Sequence, residues 1–355
     1  MEMTLRWFGK KYDSVSLKDI RQIPGVSGVI STLYNKMPGE IWCENEVKEL
    51  KNEIESNGLK LSGIESINIH DSIKAGTKER DKYIENYIKS LEAVGKEDIK
   101  LVCYNFMPIF DWTRSDLTKV NEEGAKVLSY DENIISKINV ETIFDLINKD
   151  SNGFMLPGWE PERIENIKEL FKVYSDVNEE KLFDNLVYFL KAIMPTCEKY
   201  GIKMAIHPDD PAWSVFGLPR IINNKENILR MLQAVPSKSN GITLCTGSLA
   251  SNENNNLIEI IHETADRINF AHVRNIKRYG NRSFDECAHL SSEGSLDMYE
   301  IMKALYEVGF DGVIRPDHGR NIWGEVSMPG YGLYDRALGA TYLNGIWEAI
   351  DKERR

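Results

Sequence analysis

Four side chains able to hold a metal follow apolar runs in the second half of the chain. His207 ends the run in "MAIHPDDP", Cys245 the one in "ITLCTGS", His272 the one in "FAHVRN" and Asp317 the one in "VIRPDHGR". Each alone has a plain structural role. A histidine can satisfy a backbone group, a buried cysteine packs as a small hydrophobe, and an aspartate can cap a turn. Independent structural needs do not select His, Cys, His and Asp at equivalent places in series. Two imidazoles, one thiolate and one carboxylate suit a divalent transition ion.

Charge gathers at the same places. In "GVIRPDHGR" (312–320) an apolar segment ends in Arg315, Asp317, His318 and Arg320 within six residues. Arg274 lies two residues after His272, so on a strand it shares that face. Guanidinium groups beside a metal suit a carboxylate substrate, held through bidentate hydrogen bonds. The competing reading pairs them with the acidic "HPDDP" (207–211). His70 ends an earlier apolar segment, pointing it toward the same end and toward substrate. Cys43, Cys103, Cys197 and Cys287 read as packing residues, and His262 and His289 carry no assigned role.

The elements that must position these residues repeat. Eight short apolar segments occur at 5–9, 25–32, 59–70, 99–108, 201–210, 241–250, 268–275 and 310–319. Amphipathic stretches with a period near 3.6 lie between them at 44–58, 79–95, 181–201, 255–266 and 295–309. Several stop at glycine, as helix C-caps do. Strand then helix, eight times over, predicts parallel pairing with helical crossovers, closed as a (β/α)8 TIM barrel over a single domain, 1–355. Active sites of that fold lie at the C-terminal strand ends. A closed His/Cys site could be structural zinc, but this placement favours catalysis. Residues 109–178 are too long for one connection. They read as a helical insertion over the barrel mouth, with a helix near 131–150 and the aromatic, glycine-rich "NGFMLPGWEPE" (152–162) as a lid. The alternative is a solvated peripheral helical pair.

Composition narrows the function class. A net charge of −11 argues against a nucleic-acid binder, which needs a basic stripe. No apolar run is long enough for a membrane span, and "MEMTLRWFGKKYDS" has no signal-peptide core. Five scattered cysteines without a C-x-x-C pair point to a reduced, cytoplasmic chain. No G-x-G-x-x-G or Walker motif supports a nucleotide-binding fold.

Together, "AIHPDDP", "LCTGSL", "FAHVRN", "IRPDHGR" and "PGYGLYDRALG" (329–339) resemble the mannonate dehydratase family, as do "MTLRWFG" and "GIESINIHDSIKAG" (63–76). The resemblance runs nearly the length of the chain. It implies a barrel of the xylose-isomerase-like kind, Mn2+ or Fe2+, and dehydration of D-mannonate to 2-dehydro-3-deoxy-D-gluconate in hexuronate (glucuronate) catabolism. It carries over His207, Cys245, His272 and Asp317 as metal ligands. His318 and Tyr331 carry over as proton-transfer residues, with Tyr334 the fallback for Tyr331. The implied partner is a small sugar acid, and a homodimer is compatible with the sequence.

That chemistry accounts for the charged strand end. The C2 proton of a sugar acid is weakly acidic, so its removal needs a base and a cation facing the developing charge. The C3 hydroxyl leaves poorly unless protonated. Arg274, Arg315 and Arg320 would supply positive potential, and Pro316 and Gly319 would shape the turn. The sequence leaves open which of His318 and Tyr331 is acid and which is base. The nearest rival is a metal-dependent sugar isomerase or epimerase on the same barrel, against which Cys245 speaks. A non-catalytic sugar-acid binder would lack His318.

Overall fold

In the computed structural model, which describes residues 1–138 and 166–354, eight parallel strands close a barrel. They are β1 (Glu2–Arg6), β2 (Val26–Ser31), β3 (Lys60–Glu65), β4 (Leu101–Tyr104), β7 (Lys203–Ile206), β8 (Asn240–Cys245), β9 (Ile268–His272) and β12 (Val313–Arg315). Sequential strands are neighbours, and β12 pairs back onto β1. Each of the eight expected segments overlaps one barrel strand. The first strand begins earlier than expected, and Trp7 and Phe8 pack beyond its end. β4 and β8 are buried at every residue, because helices cover the outside and side chains fill the inside.

The helices follow from their apolar stripes. Helix Glu44–Ser56 buries Val47, Leu50 and Ile54, spaced by three and four residues. Burying each such side chain contributes about 1.5–3 kcal/mol. Helix Glu179–Tyr200 starts at Asn178, whose side chain accepts from the Lys181 N–H at 2.9 Å, and ends at Gly201 with φ 66°. Helix Leu333–Arg354 closes the ring against helix Met298–Glu307, with Tyr306 and Trp347 edge to face at 5.1 Å. Among the described residues no helix is long and apolar enough to cross a membrane.

A second sheet was not foreseen. β5 (Asp116–Val120), β6 (Lys126–Tyr130), β10 (Ile276–Gly280) and β11 (Ser283–Glu286) form an antiparallel sheet in the order β10-β11-β6-β5. So the first described part of the expected helical insertion is a hairpin. Asn121 and Gly124, at φ 83°, make its turn, and the Asn121 side chain accepts from the Ala125 N–H at 2.8 Å. Of the helix expected near 131–150, Glu132–Ile135 is present, while 139–150 and "NGFMLPGWEPE" lie outside the described residues.

Candidate active site

Strand register brings the four candidate metal donors together. Cys245 pairs with His272 across β8 and β9, and His272 with Arg315 across β9 and β12. His207 follows β7 by one residue, and Asp317 follows β12 by two. One donor atom from each of His207, Cys245, His272 and Asp317 lies within 4.8 Å of every other. Cys245 Sγ is 3.7 Å from Asp317 Oδ2, and His272 Nδ1 is 3.5 Å from Asp317 Oδ1. Asp317 achieves this with φ 62°, a left-handed conformation that aspartate tolerates better than most residues. The turn therefore bends at Asp317. Gly319 serves a different need, since a Cβ there would come within 3.0 Å of the Arg336 backbone nitrogen.

The donor set fits a divalent cation. His207 Nδ1 donates to the Pro208 carbonyl at 2.7 Å, which leaves its Nε2 lone pair for the cluster. Burial would push Cys245 up, but Arg274 and His207 hold its thiol down at about 5. Burial would push His207 down, but Cys245 and Asp317 hold it up at about 9. A thiol held toward thiolate beside an imidazole suits a divalent cation, which both groups can bind once the imidazole proton has left. A second donor group, Glu65, Cys103 and His272, also lies close together. There the Arg315 guanidinium already stands between Glu65 and His272, at 3.0 and 2.9 Å.

A cavity of about 480 Å³ opens onto the cluster and is lined by His207, Asp317, Arg315, His318 and Tyr331, with Trp112 among the facing aromatics. His318 Nε2 and the Tyr331 hydroxyl are 3.0 Å apart. The loop is folded back to bring them there: the Gly319 N–H donates to the Gly330 carbonyl at 2.8 Å. Arg336 donates to the Tyr331 carbonyl at 2.6 Å and the Arg6 carbonyl at 2.9 Å. Burial pushes the Tyr331 phenol well above its ordinary value, partly opposed by Arg315. Tyr334 instead sits outside against Trp323, 44% exposed.

The arginines divide. Arg315 lines the cavity, with Nη2 at 3.0 Å from Glu65 and 2.8 Å from Asp317. Its buried Nη1 has no hydrogen-bond partner among the described residues. Arg274 is committed to protein partners, Asp317 and Asp210 at 2.8 Å each and Ser248 at 3.0 Å, and is not on the cavity wall. Arg320 points away, pairing with Asp335 at 2.9 Å and Glu123 at 3.3 Å. His70 accepts from the Ser72 N–H at 3.1 Å and stacks on Tyr83 at 3.6 Å, also off the cavity wall.

Some site residues had escaped sequence reasoning. Arg6 and Glu65 end β1 and β3 and pair at 3.1 Å in the cavity wall. Burial would push Glu65 up, but Arg315 and Arg6 hold it well below the usual carboxylate range. Both carried the same signal as Asp317, a charge at the end of an apolar run. Glu286, 2.7 Å from His318 Nδ1, carried no such signal, because its strand lies outside the barrel.

All residues from 1 to 355 match the model of the D-mannonate dehydratase (UxuA) family. The chain belongs to the mannonate dehydratase family. A mannonate dehydratase of Brachyspira hyodysenteriae is 66% identical over 352 residues, covering 99% of each chain. One from Thermotoga maritima is 54% identical, covering 100% of this chain and 99% of its own. The crystal structure of mannonate dehydratase from Streptococcus suis serotype 2 superposes with a TM-score of 0.90 at 43% identity, covering 100% of this chain and 96% of that one. A D-tagatose 3-epimerase-like protein superposes at 0.57 with 16% identity over 100% of both chains, which speaks for the fold alone. The family match thus supports the dehydratase reading over the isomerase or epimerase one.

Proposed function

We propose that the barrel mouth dehydrates D-mannonate to 2-dehydro-3-deoxy-D-gluconate and water, with His207, Cys245, His272 and Asp317 holding Mn2+ or Fe2+. The chain is a mannonate dehydratase, a hydro-lyase. The residue roles rest on one observation: the paired His318 and Tyr331 side chains stand on the cavity wall beside the four-donor cluster. Bound there, the ion would supply electrostatic stabilisation of the negative charge that develops as the C2 proton leaves.

The protein's own groups do the rest. The substrate carboxylate docks on Arg315, the arginine beside Asp317 on the cavity wall. One member of the His318–Tyr331 pair takes the proton from C2. The C2–H electrons become the C2–C3 double bond, and the C3–O bond breaks. The other member protonates the departing hydroxyl, so that it leaves as water. The enol formed then takes a proton at C3 and gives up the one on its C2 hydroxyl, which yields the 2-keto acid. Burial keeps Tyr331 a neutral phenol, able to donate. Trp112 and the aromatic wall limit water around the pair.

The test is direct. The Mn2+-loaded protein incubated with D-mannonate should accumulate a 2-keto-3-deoxy acid. A 2-epimer or keto-sugar product without loss of water would remove the proposal.

A further inference from the structure

Glu286 ends β11, outside the barrel, and its side chain is 3% exposed. Its Oε1 lies 2.7 Å from His318 Nδ1 and 2.7 Å from Arg114 Nη2, with Arg274 Nη1 at 3.0 Å. The same two arginines hold Asp210: Arg114 through two hydrogen bonds of 2.8 and 3.1 Å, Arg274 through one of 2.8 Å. Two guanidinium groups and two carboxylates thus form a buried ring, and Glu286 extends from it to the imidazole. Burial would push Glu286 up, but Arg274, His318 and Arg114 hold it down at about 2.

A carboxylate can only accept here, so His318 Nδ1 carries the proton it donates. In the neutral ring, Nε2 then presents its lone pair to the Tyr331 hydroxyl, 3.0 Å away. From the cavity back into the protein, the chain runs Tyr331, His318, Glu286, then the arginine ring.

We infer that Glu286 is a positioning residue for the reaction, one that fixes the ring orientation and tautomer of His318 from a sheet outside the barrel. It touches neither cavity nor substrate and acts through His318. The inference rests on the proton-transfer reading of His318. Without it nothing sets which nitrogen faces Tyr331, and a rotated ring would offer an N–H where an acceptor is needed. Arg114 and Arg274 keep the carboxylate charged and immobile, which an isolated buried carboxylate would not be.

A double-mutant cycle tests this with metal-loaded wild type, Glu286→Gln, His318→Asn and the double variant. Glu286→Gln should lower kcat by about 10–100-fold, the range for a lost carboxylate partner of a histidine, with metal content unchanged and KM within about threefold. In the His318→Asn background the same substitution should change kcat by less than about twofold, because its route of action is already gone. A kcat retained in Glu286→Gln, or an equal loss in both backgrounds, overturns the proposal. Near-normal activity of His318→Asn alone overturns the reading of His318, and this inference with it. If Glu286→Gln does not fold, Glu286→Asp keeps the charge for the arginines but withdraws it from the imidazole, and is judged by the same cycle. Failure of both to fold would make Glu286 a purely structural ion and sink the proposal.

Discussion

The cluster donors Cys245, His272 and Asp317 stand at or within two residues of parallel strand ends, where barrel register sets their spacing. The side of the same cavity proposed for proton transfer is assembled otherwise. His318 lies on the loop after β12, Tyr331 on a segment folded back by Arg336, and Glu286 on an antiparallel strand outside the barrel. Metal donors need only converge, and the barrel's strand ends converge by construction. A proton-transfer pair must also present a chosen nitrogen and hydroxyl in one orientation. That demand is met by hydrogen bonds from separate elements, with Arg114 and Arg274 anchoring them.

The two sides should therefore fail differently. His318→Asn should leave metal content near wild type while kcat falls by about 10²–10⁴, the usual loss of a general acid or base. Metal analysis and steady-state kinetics on the same preparation check this, and metal loss along with activity would move His318 to the donor side. Cys245→Ser should do the reverse, replacing a thiolate by a neutral hydroxyl. Metal affinity should fall by at least about 10–100-fold, the loss seen for removal of even an outer partner, and excess metal should recover part of the activity. Full occupancy after dialysis would take Cys245 out of the ligand set.

Smaller effects sharpen the division of the arginines and histidines. Arg315→Lys keeps a charge but loses the planar fork toward the substrate carboxylate. KM should rise by about tenfold, equivalent to one charge-assisted hydrogen bond of about 1.4 kcal/mol. An unchanged KM would place the carboxylate elsewhere in the cavity. His70→Ala removes a helix cap and a ring stacked on Tyr83, so stability should fall by about 1 kcal/mol with kcat and KM unchanged. A kinetic effect without a change in melting would return His70 to the substrate's surroundings.

The barrel was legible because its signal is local and repeated. β4 and β8 read as apolar runs, and helix Glu44–Ser56 shows its stripe in sequence. The hairpin Asp116–Val120 and Lys126–Tyr130 was hidden because it is short, partly charged and set in a region expected to be helical. Its partners, β10 and β11, lie about 150 residues further on, a pairing no local pattern announces. Arg274 and Arg315 look alike in sequence, each two residues from a candidate metal donor. Only packing shows that Arg274 is surrounded by Asp210, Glu286 and Asp317, whereas Arg315 stands on the cavity wall.

By itself, then, the sequence determined which side chains end the barrel strands, because period and burial are properties of neighbours along the chain. It thereby marked the four side chains whose donor atoms the fold brings within 4.8 Å of one another. Tertiary structure decided which arginine faces the cavity, which tyrosine meets His318, and that Glu286 stands behind the imidazole. The physical reason is that direction and pairing of long side chains are settled by electrostatic and hydrogen-bond partners distant in sequence: Glu286 meets Arg114 across 172 positions, and Arg315 meets Glu65 across 250.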